Sequence, residues 1–313
     1  MIIKKPRSII RFLSKKKNGL ILRIRRLRLK LKGNPRPTSY PIVTADSFRS
    51  LANHIYDEET SFIPGGVSSG DIVFVSQGKA FRYLQEIHPN IIVPYVLIVH
   101  HGDETFDKRY TAFFDDNIIH CYAQNAIVVH EKVTSLPIGL SNFNYFEHTD
   151  APYLIPPSRV DENEYNKRKN KFFYRFANET CPSVRVPLQV FCDKHPLMET
   201  VRERVPQSKF NELLREYKFL ISPRGNAIDT HRPYEAFHLG IIPVVQDSVA
   251  IRSLEKTGLP FWIVKDWSEL ENVSEEYVSE KYSELMRNAN FEAMHMDYWI
   301  AKIRDNQKDF INR

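Results

Sequence analysis

The sequence predicts an α/β protein whose parallel β-sheets are arranged in two domains. Short, continuously apolar segments alternate with segments of helical spacing along most of the chain. Strands of this kind are buried on both faces, which is typical of parallel sheets covered by helices. A stretch rich in proline and charge follows residue 150 and divides the alternating pattern into two halves.

The predicted strands are apolar runs bounded by polar or turn-forming residues. They are DIVFVS (71–76), YVLIVH (95–100), AIVVH (126–130), VTSLPIGL (133–140), FFYRFAN (172–178), KFLIS (218–222), IPVV (242–245) and PFWIV (260–264). We therefore expect a basic arm at 1–40, an N-terminal domain at 41–150, a linker at 151–168, a C-terminal domain at 169–290 and a terminal helix at 291–313.

Composition excludes several classes of protein. The chain has 313 residues, of which 42% are hydrophobic and 26% charged, as in soluble globular proteins of two ordinary domains. Its three cysteines form no CxxC pair, which fits a reducing compartment and argues against a zinc knuckle or a disulfide framework. The longest apolar run, IIVPYVLIV, is too short to span a bilayer.

Positive charge is concentrated at the N-terminus. Residues 1–40 hold 14 of the 44 Lys and Arg and no acid, so the other residues carry 30 basic and 38 acidic side chains. An acidic body argues against nucleic acid as a partner. Within the arm, LILRIRRLRLKLK at 20–32 places its aliphatic residues on one helical stripe surrounded by arginines. A basic amphipathic helix of this kind binds anionic membrane surfaces.

Three other interpretations of the arm stay open. It is also compatible with a solvated arm, with a helix packed on the protein body, or with an Arg-rich transit peptide. It does not read as a secretory signal, because it lacks a continuous apolar core and a small-residue cleavage site. The location that we expect is cytoplasmic, with peripheral attachment to the membrane.

The stretch YKFLISPRGNAIDTHRPYEAFHLGIIPVVQD, at 217–247, predicts a ligand site. It reads as a buried strand, a polar loop, a short helix and a second buried strand. Parallel sheets bind ligands in the loops at the carboxyl ends of their strands. We expect Gly225 and Asn226 to form a tight turn with positive φ, and Asp229 or Thr230 to cap a helix that ends at Gly240.

The charges of this loop suit an anion. The N-terminus of a helix offers free N–H groups and a favourable dipole, and Arg224 and Arg232 can form paired hydrogen bonds to phosphate oxygens. Glu235 can accept hydrogen bonds from the two hydroxyls of a ribose. Alternatively, Arg232 and Glu235 form an ordinary helix ion pair and Asp229 is only a cap. The cluster as a whole favours binding of a phosphate or a nucleotide.

The segment SPRGNAIDTHRPYEAFHLGIIPVV resembles the donor-binding signature of exostosin-like glycosyltransferases, a family 47-like group of GT-B type. A weaker similarity links it to α1,3-fucosyltransferases. The segments PYVLIVHHGDETF, YAQNA and SLPIGLSN resemble the acceptor-side half of the same family. One departure is Ala227, where many relatives carry glycine.

The resemblance implies two Rossmann-like domains that face each other across a central cleft, with a nucleotide-sugar donor. Carried over by position, Arg224 and Arg232 contact the diphosphate, Glu235 binds the donor ribose, and Gly225, Asn226 and Asp229 shape the loop. No cofactor is implied, because the nucleotide sugar is a substrate.

An acceptor hydroxyl must also lose its proton, and an inverting enzyme needs a base on the opposite domain. The segment HHGDE offers Asp103 first and then His101 or Glu104. Asn125 could orient an acceptor or satisfy backbone groups. Alternatively, the HHGDE side chains form a surface loop or part of a metal site. No DxD motif is placed to hold a divalent ion, since FFDDNI lacks the spacing, so we expect metal independence.

The predicted function is therefore a metal-independent, inverting glycosyltransferase with a basic N-terminal helical arm. Its expected partners are a nucleotide-sugar donor, a glycan acceptor that is lipid-linked or part of a surface polysaccharide, and an anionic membrane surface. Two alternatives stay open: another transferase that uses the same anion site, and a non-catalytic protein that binds a nucleotide sugar.

Overall fold

The computed structural model describes residues 36–142, 162–203, 205 and 207–311. The predicted amphipathic helix at 20–32 and most of the predicted linker lie outside the described residues. The described part of the chain folds as two parallel β-sheets with helices packed against them. The predicted α/β class with two parallel sheets is confirmed.

The first sheet has five parallel strands in the order β1-β2-β3-β4-β5. They are β1 (His54–Tyr56), β2 (Ile72–Ser76), β3 (Tyr95–His100), β4 (Ile118–Gln124) and β5 (Val133–Leu136). Every neighbouring pair is parallel, so all five carboxyl ends lie at one edge of the sheet. The central strand β3 is buried along its whole length, as its continuous apolar run predicts.

The second sheet also has five parallel strands, in the order β10-β9-β8-β6-β7. They are β6 (Lys169–Tyr174), β7 (Met198–Glu199), β8 (Tyr217–Ile221), β9 (Ile242–Gln246) and β10 (Trp262–Val264). The buried strand β8 lies at the centre and leads into the loop at 222–230, which is called the site loop below. This central position is where an open parallel sheet places a ligand-binding loop.

Ten α-helices accompany the strands in the described ranges. They are α1 (Ala45–Arg49), α2 (Gln77–Arg82), α3 (Lys108–Thr111), α4 (Glu162–Asn166), α5 (Pro182–Lys194), α6 (Gln207–Leu214), α7 (His231–His238), α8 (Val249–Glu255), α9 (Glu275–Arg287) and α10 (Met296–Ile311). None of the helices in these ranges has the length and apolar character needed to cross a membrane.

One predicted strand is wrong. The sequence analysis placed a strand at 126–130, whereas the structure forms β4 eight residues earlier and leaves 127–130 irregular. The segment IIHCYAQ contains two polar residues, His120 and Gln124, so it lacks the continuous apolar run by which the other strands were predicted. In the structure Cys121 and Tyr122 are buried, while His120 bonds to Thr134 at 2.8 Å.

The two sheets share one apolar core. Successive side chains of a β-strand point to opposite faces of its sheet, so the strands of the first sheet contribute residues to two clusters, one on each face. One face contacts α2 and α3 and is sealed by residues such as Tyr83 and Tyr110. The other face joins a cluster that includes residues of α1, α7, α8 and α10, namely Phe48, Phe74, Ile98, Tyr122, Tyr234, Phe237, Ile251, Leu254 and Trp299. The sheets are therefore held in a fixed relation by buried apolar surface.

The terminal helix α10 returns to the first sheet after the chain has completed the second. The hydroxyl of Tyr122 donates to the carbonyl oxygen of Lys302 at 2.9 Å, and the amide of Asn306 donates to that hydroxyl at 2.7 Å. Trp299 is fully buried, and its Nε1–H donates to the carbonyl oxygen of Ala293 at 2.9 Å. The helix thus fastens the end of the chain to its first domain.

Trp299→Ala is expected to lower the free energy of unfolding by about 3–5 kcal/mol, because it opens a large cavity in the shared core. Urea denaturation followed by circular dichroism measures this change. The control Ile92→Ala alters an isoleucine that is 88% exposed and should stay within about 0.5 kcal/mol of the wild type. Equal effects of the two substitutions would contradict a core that depends on α10.

Candidate functional site

The carboxyl edges of the two sheets face each other. The segment after β3 begins at His101, the segment after β5 begins at Pro137, and the site loop follows β8. Between them lies a cavity of about 390 Å³ with a mixed polar and apolar lining. Its polar lining residues are His100, His101, Asp103, Gln124, Ser141, Asn142 and His231.

A buried carboxylate connects the two edges. Oδ2 of Asp229 accepts a hydrogen bond from the backbone N–H of Ile138 at 2.8 Å and from the hydroxyl of Tyr234 at 2.6 Å. The backbone N–H of Asp229 donates to the amide oxygen of Asn125 at 2.9 Å. Asp229 is 1% exposed, and burial raises its pKa to about 7 although these donors act in the opposite direction. Asp229 shapes the site loop by tying it to the first sheet.

Asn125 helps to join the first sheet to the site loop, and it does not lie on a surface that an acceptor could reach. It follows β4 with a φ of 55°, a left-handed conformation that asparagine tolerates better than most residues. Its side chain is buried, and its amide oxygen is occupied by Asp229. Of the two roles considered for Asn125 in the sequence, the geometry supports the satisfaction of backbone groups.

The site loop takes its shape from an arginine of a neighbouring helix. Arg185 of α5 donates to three carbonyl oxygens, those of Ala177 at 2.8 Å, Pro223 at 3.1 Å and Arg224 at 2.8 Å. A guanidinium that binds three carbonyls fixes the path of the loop. Sequence analysis missed Arg185, because it lies in a helix about 40 residues before the loop.

The predicted positive φ at Gly225 and Asn226 is wrong. Neither residue is among those with a left-handed backbone. A Cβ on Gly225 would lie 3.1 Å from Nη2 of Arg185. A side chain at this position would therefore press on Arg185, so the contact with Arg185 favours glycine here. The left-handed glycine at the helix end is Gly240, as predicted, with a φ of 67°.

Four arginines lie at the carboxyl edge of the second sheet and are called the arginine edge below. Arg175 follows β6, Arg185 lies in α5, Arg224 belongs to the site loop and Arg232 lies in the first turn of α7. Arg175 and Arg232 both contact the ring of Phe210, at 5.5 Å and 4.9 Å from its centroid. Burial and the positive charge of Arg232 lower the pKa of Arg185. Such a concentration of like charges favours an anion as ligand.

Glu235 supplies the negative charge nearest to Arg232. Its Oε2 lies 2.8 Å from Nη1 of Arg232, so the i,i+3 ion pair considered in the sequence is formed. The first turn of α7 has Thr230 at its N-cap, and no side chain of the described residues caps it there. The backbone N–H groups of His231 and Arg232 have no partner within the helix, and this end of α7 directly follows the site loop.

The HHGDE residues differ in what their side chains do. Asp103 is exposed, and its Oδ2 accepts from the amide of Asn226 across the cleft at 3.3 Å. Glu104 accepts from the hydroxyl of Tyr110 at 3.2 Å and so belongs to its own domain. His101 has a φ of 68°, and burial lowers its pKa. A non-glycine residue with this backbone at a strand end is a common mark of a functional segment.

His231, which the sequence analysis passed over, lines the cavity at the N-terminus of α7. Its Nδ1 lies 2.7 Å from the carbonyl oxygen of Gly139, so Nδ1 carries the proton and donates it. Its place beside Arg232, at the first position of a helix that follows the site loop, is the sequence signal that could have identified it.

Across the described ranges, no group of three or more His, Cys, Asp or Glu side chains is arranged to hold a metal ion. Metal independence stays a prediction. The three cysteines are free thiols, and two of them, Cys121 and Cys192, are buried.

The buried Asp229 predicts a pH-dependent stability. An acid whose pKa is raised in the folded state binds more protons folded than unfolded, so its contribution to stability falls as pH rises from about 4 to about 7. Asp229→Asn removes this titration. The melting temperature of the wild type relative to Asp229→Asn should therefore fall across this window.

Asp247→Asn is the matched control. Hydrogen bonds from Arg252 hold the pKa of Asp247 below its usual range, so Asp247 stabilises the folded state at neutral pH. Its contribution to stability falls as the solution becomes more acidic, whereas the contribution of Asp229 falls as pH rises. A difference between wild type and Asp229→Asn that is constant with pH, or grows as pH rises, would contradict the raised pKa.

A family model described as the RXYLT1 C-terminal domain matches residues 194–309, which is less than half of the chain. The match includes the site loop, α7 and most of α10. No curated protein sequence matches the chain. The resemblances to exostosin-like enzymes and fucosyltransferases are not confirmed, since the family that matches is a different one.

Among solved structures, the chain is similar to two trehalose-phosphate synthases. One, from Burkholderia multivorans, is 9% identical with a TM-score of 0.39, and the alignment covers 80% of this chain and 74% of that one. The other, a UDP-forming enzyme from Burkholderia vietnamiensis, is 9% identical with a TM-score of 0.38, covering 76% and 73%. Values this low transfer no function to the chain.

Proposed function

We propose that the protein is a glycosyltransferase that moves a sugar from a nucleotide-sugar donor to a hydroxyl of a glycan acceptor. The observation that carries the proposal is the pairing of two surfaces. The arginine edge of the second sheet faces a cavity with few charges at the edge of the first sheet. The arginine edge suits the anionic leaving group of a sugar transfer, and the cavity with few charges suits a neutral acceptor that carries several hydroxyls.

The donor diphosphate is assigned to the arginine edge. Arg224 and Arg232 supply charged donors, and the first-turn N–H groups of α7 add the favourable end of the helix dipole. Charge that develops on the departing diphosphate is stabilised there without reorganisation, since Arg185 already fixes the loop.

Glu235 is assigned to the donor ribose. One of its carboxylate oxygens is 2.8 Å from Arg232, which leaves its other oxygen to accept from a ribose hydroxyl. In this arrangement the Arg232–Glu235 ion pair joins the group that binds the diphosphate to the group that binds the ribose. Glu235 would thus act both as the partner of Arg232 in a helix ion pair and as the acceptor for the ribose hydroxyls.

The acceptor is assigned to the cavity. A volume of about 390 Å³ has room for one or two sugar units, and Asp103 of its lining accepts a hydrogen bond from Asn226 of the site loop. Gln124 and Asn142 bind backbone groups of the cavity wall at 2.8–3.0 Å and make it rigid. We further propose that the acceptor glycan is lipid-linked or part of a surface polysaccharide, and that transfer inverts the configuration of the donor sugar.

The donor is best identified with a panel. The matching family description refers to a xylosyltransferase, so UDP-xylose joins UDP, GDP and their hexose conjugates in the panel. At least one nucleotide should raise the melting temperature of the wild type, because a ligand that binds only the folded state stabilises it.

Arg224→Ala should weaken binding of that nucleotide about 10- to 100-fold, since a hydrogen bond to a charged group is worth roughly 1.5–3 kcal/mol. Isothermal titration calorimetry measures this change. The control is Arg202→Ala, which removes an exposed arginine that pairs with Asp193 at 3.0 Å and should leave the affinity unchanged. If no nucleotide shifts the wild type, or if Arg224→Ala binds as well as Arg202→Ala, the donor site is rejected.

The basic arm is assigned to an anionic membrane surface, where lipid-linked glycans are assembled. Residues 1–35 lie outside the described residues, and Arg36 is the first residue that the structure places. Arg36 is buried between Asp46 at 2.6 Å and Asp57 at 3.1 Å. A deletion that tests the arm must therefore stop before Arg36, so that the domain keeps this ion-pair network.

Deletion of residues 1–33 should abolish flotation of the protein with anionic liposomes, while the full chain floats. Binding of the full chain should weaken as salt is raised, because exposed charges are screened. Flotation of the deleted protein, or equal flotation with zwitterionic liposomes, would reject the membrane role. The melting temperature serves as the control for folding.

A further inference from the structure

We propose that His231 is the proton acceptor of the transfer reaction. The inference rests on the proposed function and adds the residue that takes the proton from the acceptor hydroxyl. It concerns Nε2 of His231, which the sequence-based choice of Asp103, His101 or Glu104 did not consider.

The imidazole of His231 is held in one tautomer and one orientation. Its Nδ1–H donates to the carbonyl oxygen of Gly139 at 2.7 Å, which leaves Nε2 with a lone pair. Nε2 makes no hydrogen bond to any described residue, and His231 lines the cavity. A histidine whose one nitrogen is fixed and whose other nitrogen is an acceptor has the arrangement required of a general base.

The carbonyl that orients His231 is itself rigid. Gly139 has a φ of 67°, and a Cβ added there would lie 2.1 Å from the carbonyl oxygen of Val43. The next residue, Leu140, donates its N–H to that same oxygen at 2.9 Å. Only glycine fits this contact, so the position of the Gly139 carbonyl is set by packing against the segment before α1.

His231 also stands at the right place between the two substrates. It is the first residue of α7 and the neighbour of Arg232, so it adjoins the diphosphate end of the donor. At the same time it forms a wall of the acceptor cavity. A base must reach the acceptor hydroxyl while that oxygen faces the donor sugar, and this position satisfies both conditions.

The other candidates are less suitable. His100 is fully buried, and both of its nitrogens have partners, the N–H of His101 at 2.8 Å and the carbonyl oxygen of Pro137 at 3.1 Å. Asp103 is exposed and bonded to the site loop. Glu104 is engaged by Tyr110.

The surroundings keep His231 neutral and ready to accept a proton. Burial lowers its pKa, so the unprotonated form dominates at neutral pH. The other titratable groups that interact with it across the cleft and along α7 are His100, His101, Asp103, Arg232 and Glu235. Asp103 and Glu235 favour the imidazolium once it has formed.

The transfer is a displacement at the anomeric carbon of the donor sugar. The acceptor O–H bond breaks and its proton moves to Nε2, while the acceptor oxygen forms a bond to the anomeric carbon of the donor sugar. The bond from that carbon to the diphosphate oxygen breaks, and its electron pair leaves with the nucleoside diphosphate. The imidazolium returns its proton to water after the products have left.

The test compares His231→Asn with His231→Gln in the full chain. The amide nitrogen of asparagine can still donate to the Gly139 carbonyl but has no group at the position of Nε2. Glutamine loses the contact with Gly139. With the nucleotide sugar that the panel identifies, His231→Asn should bind donor within about threefold of the wild type and lose transfer by about 10²- to 10⁴-fold.

The pH profile separates a base from a structural residue. The wild-type kcat/KM should fall as pH drops through the lowered pKa of His231, and this acid limb should disappear from the residual activity of His231→Asn. Transfer above a tenth of the wild-type rate in His231→Asn with normal donor binding overturns the inference alone. Greater loss of transfer in Asp103→Asn than in His231→Asn also overturns it. Absence of nucleotide binding by the wild type overturns the proposed function, and the inference with it.

Discussion

The site depends on one buried carboxylate at the junction of the two sheets. Asp229 accepts from the backbone of Ile138 in the first domain and from Tyr234 in the second, and its own N–H binds Asn125. A buried polar group that loses its hydrogen-bond partner costs about 1–3 kcal/mol, so an arrangement of the two domains that keeps these contacts is favoured over one that breaks them. Because the site loop contains Asp229, this contact sets the distance between the arginine edge and the cavity.

Two further contacts fix the groups on either side of this junction, namely the site loop of the second sheet and the His231 side chain in the cavity wall. Arg185 fixes the backbone of the site loop through three carbonyls, and Gly139 fixes the ring of His231 through one. The arginines lie on the side of the second sheet, and the cavity on the side of the first sheet is lined by histidine, amide and hydroxyl groups and by Asp103. A shared apolar core that includes Trp299 of α10 packs residues of both halves together.

The sequence predicted the fold class and the location of the site loop because both follow from local patterns. Continuous apolar strands indicate parallel sheets, and PRGNAIDT lies at the end of such a strand. It did not predict β4, whose polar residues interrupt the apolar run, nor Arg185 and His231. Their roles arise from contacts with residues about 40 and 90 positions away, which no local pattern records. The positive φ predicted at Gly225 is absent, and the close neighbour of this glycine is the Arg185 guanidinium, which the sequence does not place beside it.

The most direct measurement is a crystal structure of the protein with the nucleoside diphosphate of its donor. We expect the two phosphates within hydrogen-bonding distance of Arg224, Arg232 and the first-turn N–H groups of α7, with the ribose on Glu235. We also expect the cavity beside His231 to stay open. A nucleotide bound elsewhere, or phosphates that contact none of these groups, would contradict the assignment of the arginine edge to the donor.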